Sequence, residues 1–213
     1  MGPRTIWGAL DAARIGRAIN DRMITLVLED LARWSPWPEA LGSVSINMST
    51  EILTHPGFFR SLLKRLDRRG IATSQVTIEI TERVLVDQLS GRSLQSLRNL
   101  QRHGVRISLD DFGTGFASLT HLQRLPVNEI KIDQTFVRDL QSDGSNAAIV
   151  KSMIGLALNM GIDVVAEGVE TAGQADLLRQ WGCPYAQGNH FHHPVRAGDF
   201  ARLCGLASAA ENA

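Results

Sequence analysis

Cysteine is scarce: Cys183 and Cys204 are the only two in 213 residues. Two thiols build neither a disulfide framework nor a thiolate zinc site, so a reducing cytoplasm is the expected location. An excess of charge is also lacking, with 22 Lys+Arg against 22 Asp+Glu. That balance removes the electrostatic reason to expect nucleic acid or an anionic membrane as a partner. No apolar run reaches the ~20 residues that span a bilayer. The opening residues, Met1-Gly2-Pro3-Arg4-Thr5-Ile6-Trp7, lack a basic region followed by an apolar stretch, so no secretory signal is expected. Low-complexity segments and linker-like shifts in composition are missing as well. What is left, 44% hydrophobic and 21% charged residues, is the composition of a globular protein.

Apolar periodicity, punctuated by glycine and proline, divides the chain into alternating elements. Helices are expected over 9–34, 56–69, 88–103, 145–160 and 171–181, the middle three closed by Gly70, Gly104 and Gly161. Short strands are expected over Ser43–Met48, Val76–Thr81, Val105–Asp110, Glu129–Asp133, Asp163–Glu167 and Pro184–Gln187. Their spacing is too long for hairpins and implies parallel strands joined by right-handed helical crossovers. An open doubly wound sheet and a TIM-type barrel both fit.

The polar residues favour the barrel. Asn47, Glu79, the Asp110-Asp111 pair, Lys131, Glu167 and Gln187 stand at or near the C-terminal ends of different strands. A closed barrel brings such ends to one mouth, whereas an open sheet gathers two or three. A complete barrel typically takes eight strands and ~250 residues. The expected fold is therefore α/β, a TIM-like barrel that is incomplete. It fills residues 1–207 as one domain, with a disordered tail at 208–213.

Four carboxylates at one mouth, with the amides of Asn47 and Gln187 near them, repel one another unless a cation sits among them. Oxygen ligands without paired His or Cys suit hard divalent ions, Mg²⁺ or Mn²⁺. Adjacent aspartates at a strand end can bridge two ions, or bind one directly and one through water. Two ions about 3.5–4 Å apart form the clamp used for phosphodiester cleavage. Lys131 can hold the attacking water, or neutralise charge on the transition state. Taken singly, each carboxylate is better explained as a cap or a surface ion pair, but chance does not place so many at equivalent positions.

Other motifs weigh less. Asp111-Phe112-Gly113 imitates the kinase metal-binding triplet without the rest of that signature. Gly113-Thr114-Gly115 is half a dinucleotide fingerprint. The segment through Ser118 reads better as a loop over the metals, with glycines that let backbone approach a phosphate. His190, His192 and His193 have no nearby Cys and read as an ordinary loop. Trp7, Trp34, Trp37 and Trp181 flank helices and read as packing residues rather than base-stacking platforms.

Several motifs follow one another in order. They are Ser45-Ile46-Asn47-Met48-Ser49, Glu79-Ile80-Thr81-Glu82, Asp110-Asp111-Phe112-Gly113-Thr114-Gly115-Phe116-Ala117-Ser118-Leu119, Lys131-Ile132-Asp133, Val165-Ala166-Glu167-Gly168-Val169-Glu170-Thr171 and Gln187-Gly188. Over roughly residues 10–200 the joint pattern resembles the bacterial EAL family of cyclic di-GMP phosphodiesterases. The resemblance implies a TIM-like barrel with one antiparallel strand, two Mg²⁺ or Mn²⁺ ions, and hydrolysis of cyclic di-GMP to linear pGpG. Carried over by motif, Asn47, Glu79 and Asp110 resemble ligands of the first metal, and Asp110, Asp111 and Glu167 those of the second. Lys131 resembles the water-holding lysine and forms the catalytic pair with Glu167. Glu82 would anchor the Asp111–Ser118 loop, which includes Gly113 and Thr114, while Glu170 and Gln187 would complete the site.

The chain also departs from that pattern. The family's Glu-Ala-Leu lies on a strand well before the Asn-x-Ser motif; its Glu ligates metal and an Arg shortly after it contacts phosphate. Pro38-Glu39-Ala40-Leu41 is a decoy, because Glu39 lies in the helix-to-strand turn at the start of the Ser43–Met48 strand and Asn47 lies near its end. Eight residues separate them, which puts Glu39 ~20–25 Å from the mouth. The chain is therefore expected to begin after the family's first two strands, as a natural truncation or as a fragment. The edge left at Val44–Met48 would recruit a second copy, the N-terminal helix or a protein partner. Asn189 also stands where an aromatic usually follows Gln-Gly. Impaired hydrolysis is expected; the alternative is an inactive module that binds cyclic di-GMP or a protein in bacterial signalling.

Overall fold

A computed structural model describes residues 13–35, 38, 41–48, 52–53, 55, 57–82, 91–115, 119–142 and 144–206. The strands are β1 (Val44–Asn47), β2 (Val76–Thr81), β3 (Arg106–Phe112), β4 (Glu129–Ile132), β5 (Asp163–Ala166) and β6 (Tyr185–Ala186), ordered β1-β2-β3-β4-β5-β6 in one sheet. The helices are α1 (Ala13–Arg33), α2 (Phe58–Asp67), α3 (Gly91–Arg102), α4 (Leu119–Arg124), α5 (Gln134–Val137), α6 (Ser145–Asn159), α7 (Ala172–Gln180) and α8 (Ala197–Leu203). Two units emerge: residues 1–78, 90–105 and 195–213, and residues 79–89 and 106–194.

In the first unit α1 buries Ile24, Leu28 and Leu31, and α2 buries Phe59, Leu62 and Leu66. Both sets recur every three or four residues, so each helix has one apolar stripe. Arg65 on α2 ties the two together, donating to Asp21 Oδ1 (2.7 Å) and to Thr25 Oγ1 (2.5 Å), one turn apart on α1. The stop after α2 is built by Gly70, whose φ of 64° is left-handed and lets the Ile71 N–H reach back to the Leu66 carbonyl (3.1 Å). Trp34 packs against Phe200 of α8, with ring centroids 5.3 Å apart.

The second unit is a parallel ladder. Ser108 and Leu109 pair with Glu129 and Ile130, Glu129–Ile132 pair with Asp163–Ala166, and Val165 and Ala166 pair with Tyr185 and Ala186. Paired residues share a face. Leu109, Ile130, Ile132, Val164 and Ala166 are all fully buried, and α6 packs on β4 and β5 through Val150, Ile154 and Ala157. The opposite face carries Ser108, Asp110, Glu129, Lys131 and Asp163, with Glu167 just past the end of β5. A sheet apolar on one face and charged on the other holds its chemistry on the charged side.

The strands fall where alternation places them. Helices α4, α5 and α8 have no counterpart in the periodicity reading, because six, four and seven residues are too few to show a helical period. Glu39 and Ala40, Trp7 and Trp37, Ser118 and the 208–213 tail lie outside the described residues.

Candidate functional site

Adjacent residues on a regular strand point to opposite faces, so Asp110 and Asp111 should not serve one site. A register break resolves this. Leu109 pairs with Ile130 but Phe112 pairs with Ile132, so Asp110 and Asp111 together oppose Lys131 alone. The extra residue is a bulge, a device that re-aims a side chain. Asp111 takes the left-handed conformation (φ 56°), at roughly 1–2 kcal/mol for a non-glycine residue, and its N–H donates to Asp110 Oδ1 (3.0 Å). One oxygen each from Asp110, Asp111 and Glu167 then lie within 4.8 Å of one another.

Lys131, 5% exposed, is the counter-charge. Its Nζ lies 2.5 Å from Glu167 Oε1, 3.0 Å from Glu79 Oε1 and 3.5 Å from Asp110 Oδ1. Burial alone would push its pKa down, but Glu79, Asp110 and Glu167 outweigh burial and raise it. Lys131 is thus a permanent cation and a hydrogen-bond donor. One ammonium cannot neutralise four carboxylates, and the excess shows. Glu167 is pushed up to about 7 by burial and then by Asp110, against the pull of Lys131. Asp111 rises to about 6 through burial, Asp110, and both the charge and a hydrogen bond of Asp133. Clustered oxygen donors with uncompensated negative charge fit a hard divalent cation. Asp110, Asp111 and Glu167 would hold it, with Glu79 beside them.

The loops flanking the cluster are pinned. After β3, Thr114 donates its hydroxyl to Glu82 Oε2 (3.0 Å) and its N–H to the Asp111 carbonyl (3.3 Å). Glu82 is 1% exposed. A Cβ at Gly113 would come 2.4 Å from Met153 Cε, so the bare Cα of Gly113 lies against that side chain. After β5, the Glu167 N–H bonds the Ile132 carbonyl (3.1 Å), and the Val169 N–H bonds the Gln187 carbonyl (3.0 Å). Gln187 and Glu170 are exposed. At Gly188 a Cβ would stand 2.1 Å from the Val169 carbonyl oxygen and 2.3 Å from its nitrogen. Gly188→Ala is accordingly expected to cost about 1–3 kcal/mol by forcing these backbones apart; an unchanged melting temperature would contradict that close approach.

Six of the sequence-derived positions, Glu79, Asp110, Asp111, Lys131, Glu167 and Glu82, are brought together or linked within the second unit. Asn47, half-buried, ends β1 in the first unit. His190, His192 and His193 are exposed outside any helix or strand, and Trp181 stacks under Lys151 Nζ (4.6 Å to the ring centroid). Two residues had no role assigned from sequence. Asp133, 8% exposed, lies beside Asp111 and helps to raise its pKa, and it caps α5 through the Thr135 N–H (2.8 Å). Gln174 braces the loop after β5; its signal was the Thr171-x-x-Gln174 capping box.

The EAL domain family model matches residues 1–194. The bifunctional diguanylate cyclase/cyclic di-GMP phosphodiesterase MucR of Pseudomonas aeruginosa is 36% identical over 175 residues, 80% of this chain and 25% of its own length. The cyclic di-GMP phosphodiesterase PA2567 of the same organism is 34% identical over 181 residues, 84% of this chain and 30% of its own. The chain therefore spans less than a third of the length of these curated relatives. Among solved structures, the MucR phosphodiesterase in complex with c-di-GMP has a TM-score of 0.85 at 31% identity, covering 94% of this chain and 81% of that one. The EAL enzyme Bd1971 in its cAMP-bound form has a TM-score of 0.88 at 31% identity, covering 95% and 57%. With the α/β fold, the order of motifs and the carboxylate cluster in agreement, the chain belongs to the EAL domain family.

Proposed function

We propose that this chain carries out metal-dependent hydrolysis of cyclic di-GMP to linear pGpG. The observation that carries the reading is the convergence of Asp110, Asp111 and Glu167 on one point beside the buried ammonium of Lys131. The likeness to a phosphodiesterase solved with c-di-GMP supports the choice of substrate. A divalent ion, Mg²⁺ or Mn²⁺, supplies Lewis-acid polarisation of a phosphoryl oxygen and acidifies a bound water. The remaining work belongs to the protein. Lys131 keeps its proton, so it orients a water or stabilises phosphoryl charge and does not act as a base. Glu167, hydrogen-bonded to Lys131, is placed to accept the proton of the attacking water. Glu79 is the further carboxylate available to a second ion, and Thr114 with Glu82 holds the loop beside the phosphates.

A second reading is binding without turnover. It is favoured by the ligand set itself: three clustered oxygens suffice for one ion, while Glu79 is engaged by Lys131 at 3.0 Å. Chromatographic detection of pGpG, with Mg²⁺ and then Mn²⁺, separates the two. Metal-dependent turnover that disappears in Asp110→Ala is the expected result. Binding of cyclic di-GMP with no turnover would establish the second reading, and neither binding nor turnover would overturn both.

A further inference from the structure

We propose that Gln174 is a positioning residue that fixes the Glu167–Glu170 loop to the end of α5, and through it sets the metal affinity of Glu167; the inference rests on the metal-site reading above.

Gln174 lies in the first turn of α7 and is 7% exposed. Its Oε1 accepts the N–H groups of Glu170 (2.7 Å) and Thr171 (2.9 Å), and its Nε2 donates to the carbonyls of Val137 (3.1 Å) and Arg138 (2.8 Å). An amide offers two lone pairs and two hydrogens, and all four are used. The accepting half is a capping-box contact, which a Glu would make equally well. The donating half has no place in helix capping. It demands an amide, because a carboxylate there would set an oxygen against two carbonyl oxygens.

The two halves join segments that both lead to the cluster. Val137 and Arg138 end α5, which begins just after Lys131 and Asp133. Glu170 and Thr171 end the loop that begins at Glu167. Along that loop the Glu167 N–H is held by the Ile132 carbonyl. Gly168 passes so close to Gln134 of α5 that a Cβ would lie 2.5 Å from Gln134 Cβ. The loop thus touches α5 at its start, and Gln174 closes the far end. Groups that orient a ligand from behind typically govern metal affinity or activity by about 10–100-fold.

The test compares Gln174→Glu with Thr171→Ala. The first keeps the capping acceptor and loses both donations to α5. The second weakens the cap, since the Gln174 N–H loses its bond to the Thr171 hydroxyl (3.3 Å), and leaves the bridge in place. Mn²⁺ binding by calorimetry, amide hydrogen exchange at residues 167–171 and melting temperature are read on each. In Gln174→Glu, Mn²⁺ binding is expected to weaken about tenfold or more, with faster exchange at Glu167 and Val169. Thr171→Ala is expected to bind Mn²⁺ as the parent does, even where its melting temperature falls. Unchanged Mn²⁺ binding in Gln174→Glu would overturn the positioning role, as would equal weakening in both variants. A parent protein that binds no Mn²⁺ would overturn the metal-site reading and this role with it, an outcome distinct from parent binding that the variant leaves unaltered.

Discussion

At pH 8 and without divalent ions, Lys131→Met is expected to lose about 3–5 kcal/mol of stability, the range for removing one partner from a buried ion pair. The shape of the side chain is nearly preserved, so the loss is electrostatic. Glu79, Asp110 and Glu167 sit within 3.5 Å of the ammonium in the parent. In the variant they face one another with no counter-charge. Two conditions should relieve the loss. At pH 6 the carboxyls can take up protons, and Glu167, already at about 7, does so first. Saturating Mn²⁺ brings a replacement cation. Turnover should vanish in every condition, because neither relief restores a donor at the Nζ position. Urea denaturation at pH 6 and 8, with and without Mn²⁺, reads the pattern. Parent-like stability at pH 8 without metal would show that Lys131 does not hold the carboxylates together.

Metal affinity should fall steeply as pH drops below about 7. Glu167 at about 7 and Asp111 at about 6 must both shed protons for a cation to bind, so each displaced proton costs up to about tenfold in apparent affinity per pH unit below its own value. Calorimetric titration of Mn²⁺ at pH 5.5, 6.5 and 7.5, in buffers of different ionisation enthalpy, counts the protons released. A flat affinity across that range would remove both groups from the ligand set. The same shifts bear on stability without metal. The two folded values lie above the ordinary 3.8 and 4.5, so between about pH 4 and 7 the native state holds protons that the unfolded chain has released. Their contribution is complete below that window and is lost as pH rises through it. Lys131 is also raised, by the carboxylates around it, and contributes throughout the window, since its share declines only above the ordinary value of 10.5. Metal-free protein should therefore melt lower at pH 8 than at pH 5.5, and divalent ions should narrow the difference.

Much of this protein was legible from local chemistry. The β5 strand and the helix before it were readable because α6 has an apolar stripe and ends at Gly161, with φ 71° and the Ile162 N–H returning to Ala157. Such signals act over a few residues and need no partner. The positions of Glu79, Lys131 and Glu167 followed in the same way, since strand ends locate them once the strands are found. Other features depend on residues far apart in the chain. That Asp110 and Asp111 both reach the cluster depends on a bulge, and a bulge exists only against the register of β4. That Lys131 holds three carboxylates, from β2, β3 and the end of β5, depends on which strands are neighbours. Gln174 carried only the local signal of a capping box, because one half of its amide bonds nearby; the other half bonds carbonyls 37 and 36 residues away. Sequence alone determined the strands and the longer helices, the motif order and the oxygen-donor character of the candidate site, because backbone propensity, glycine geometry and side-chain chemistry are properties of short segments. The tertiary structure decided the aim of Asp111, the partners of Lys131 and the long-range hydrogen bonds of Gln174, because each needs a charge or carbonyl that only folding brings near.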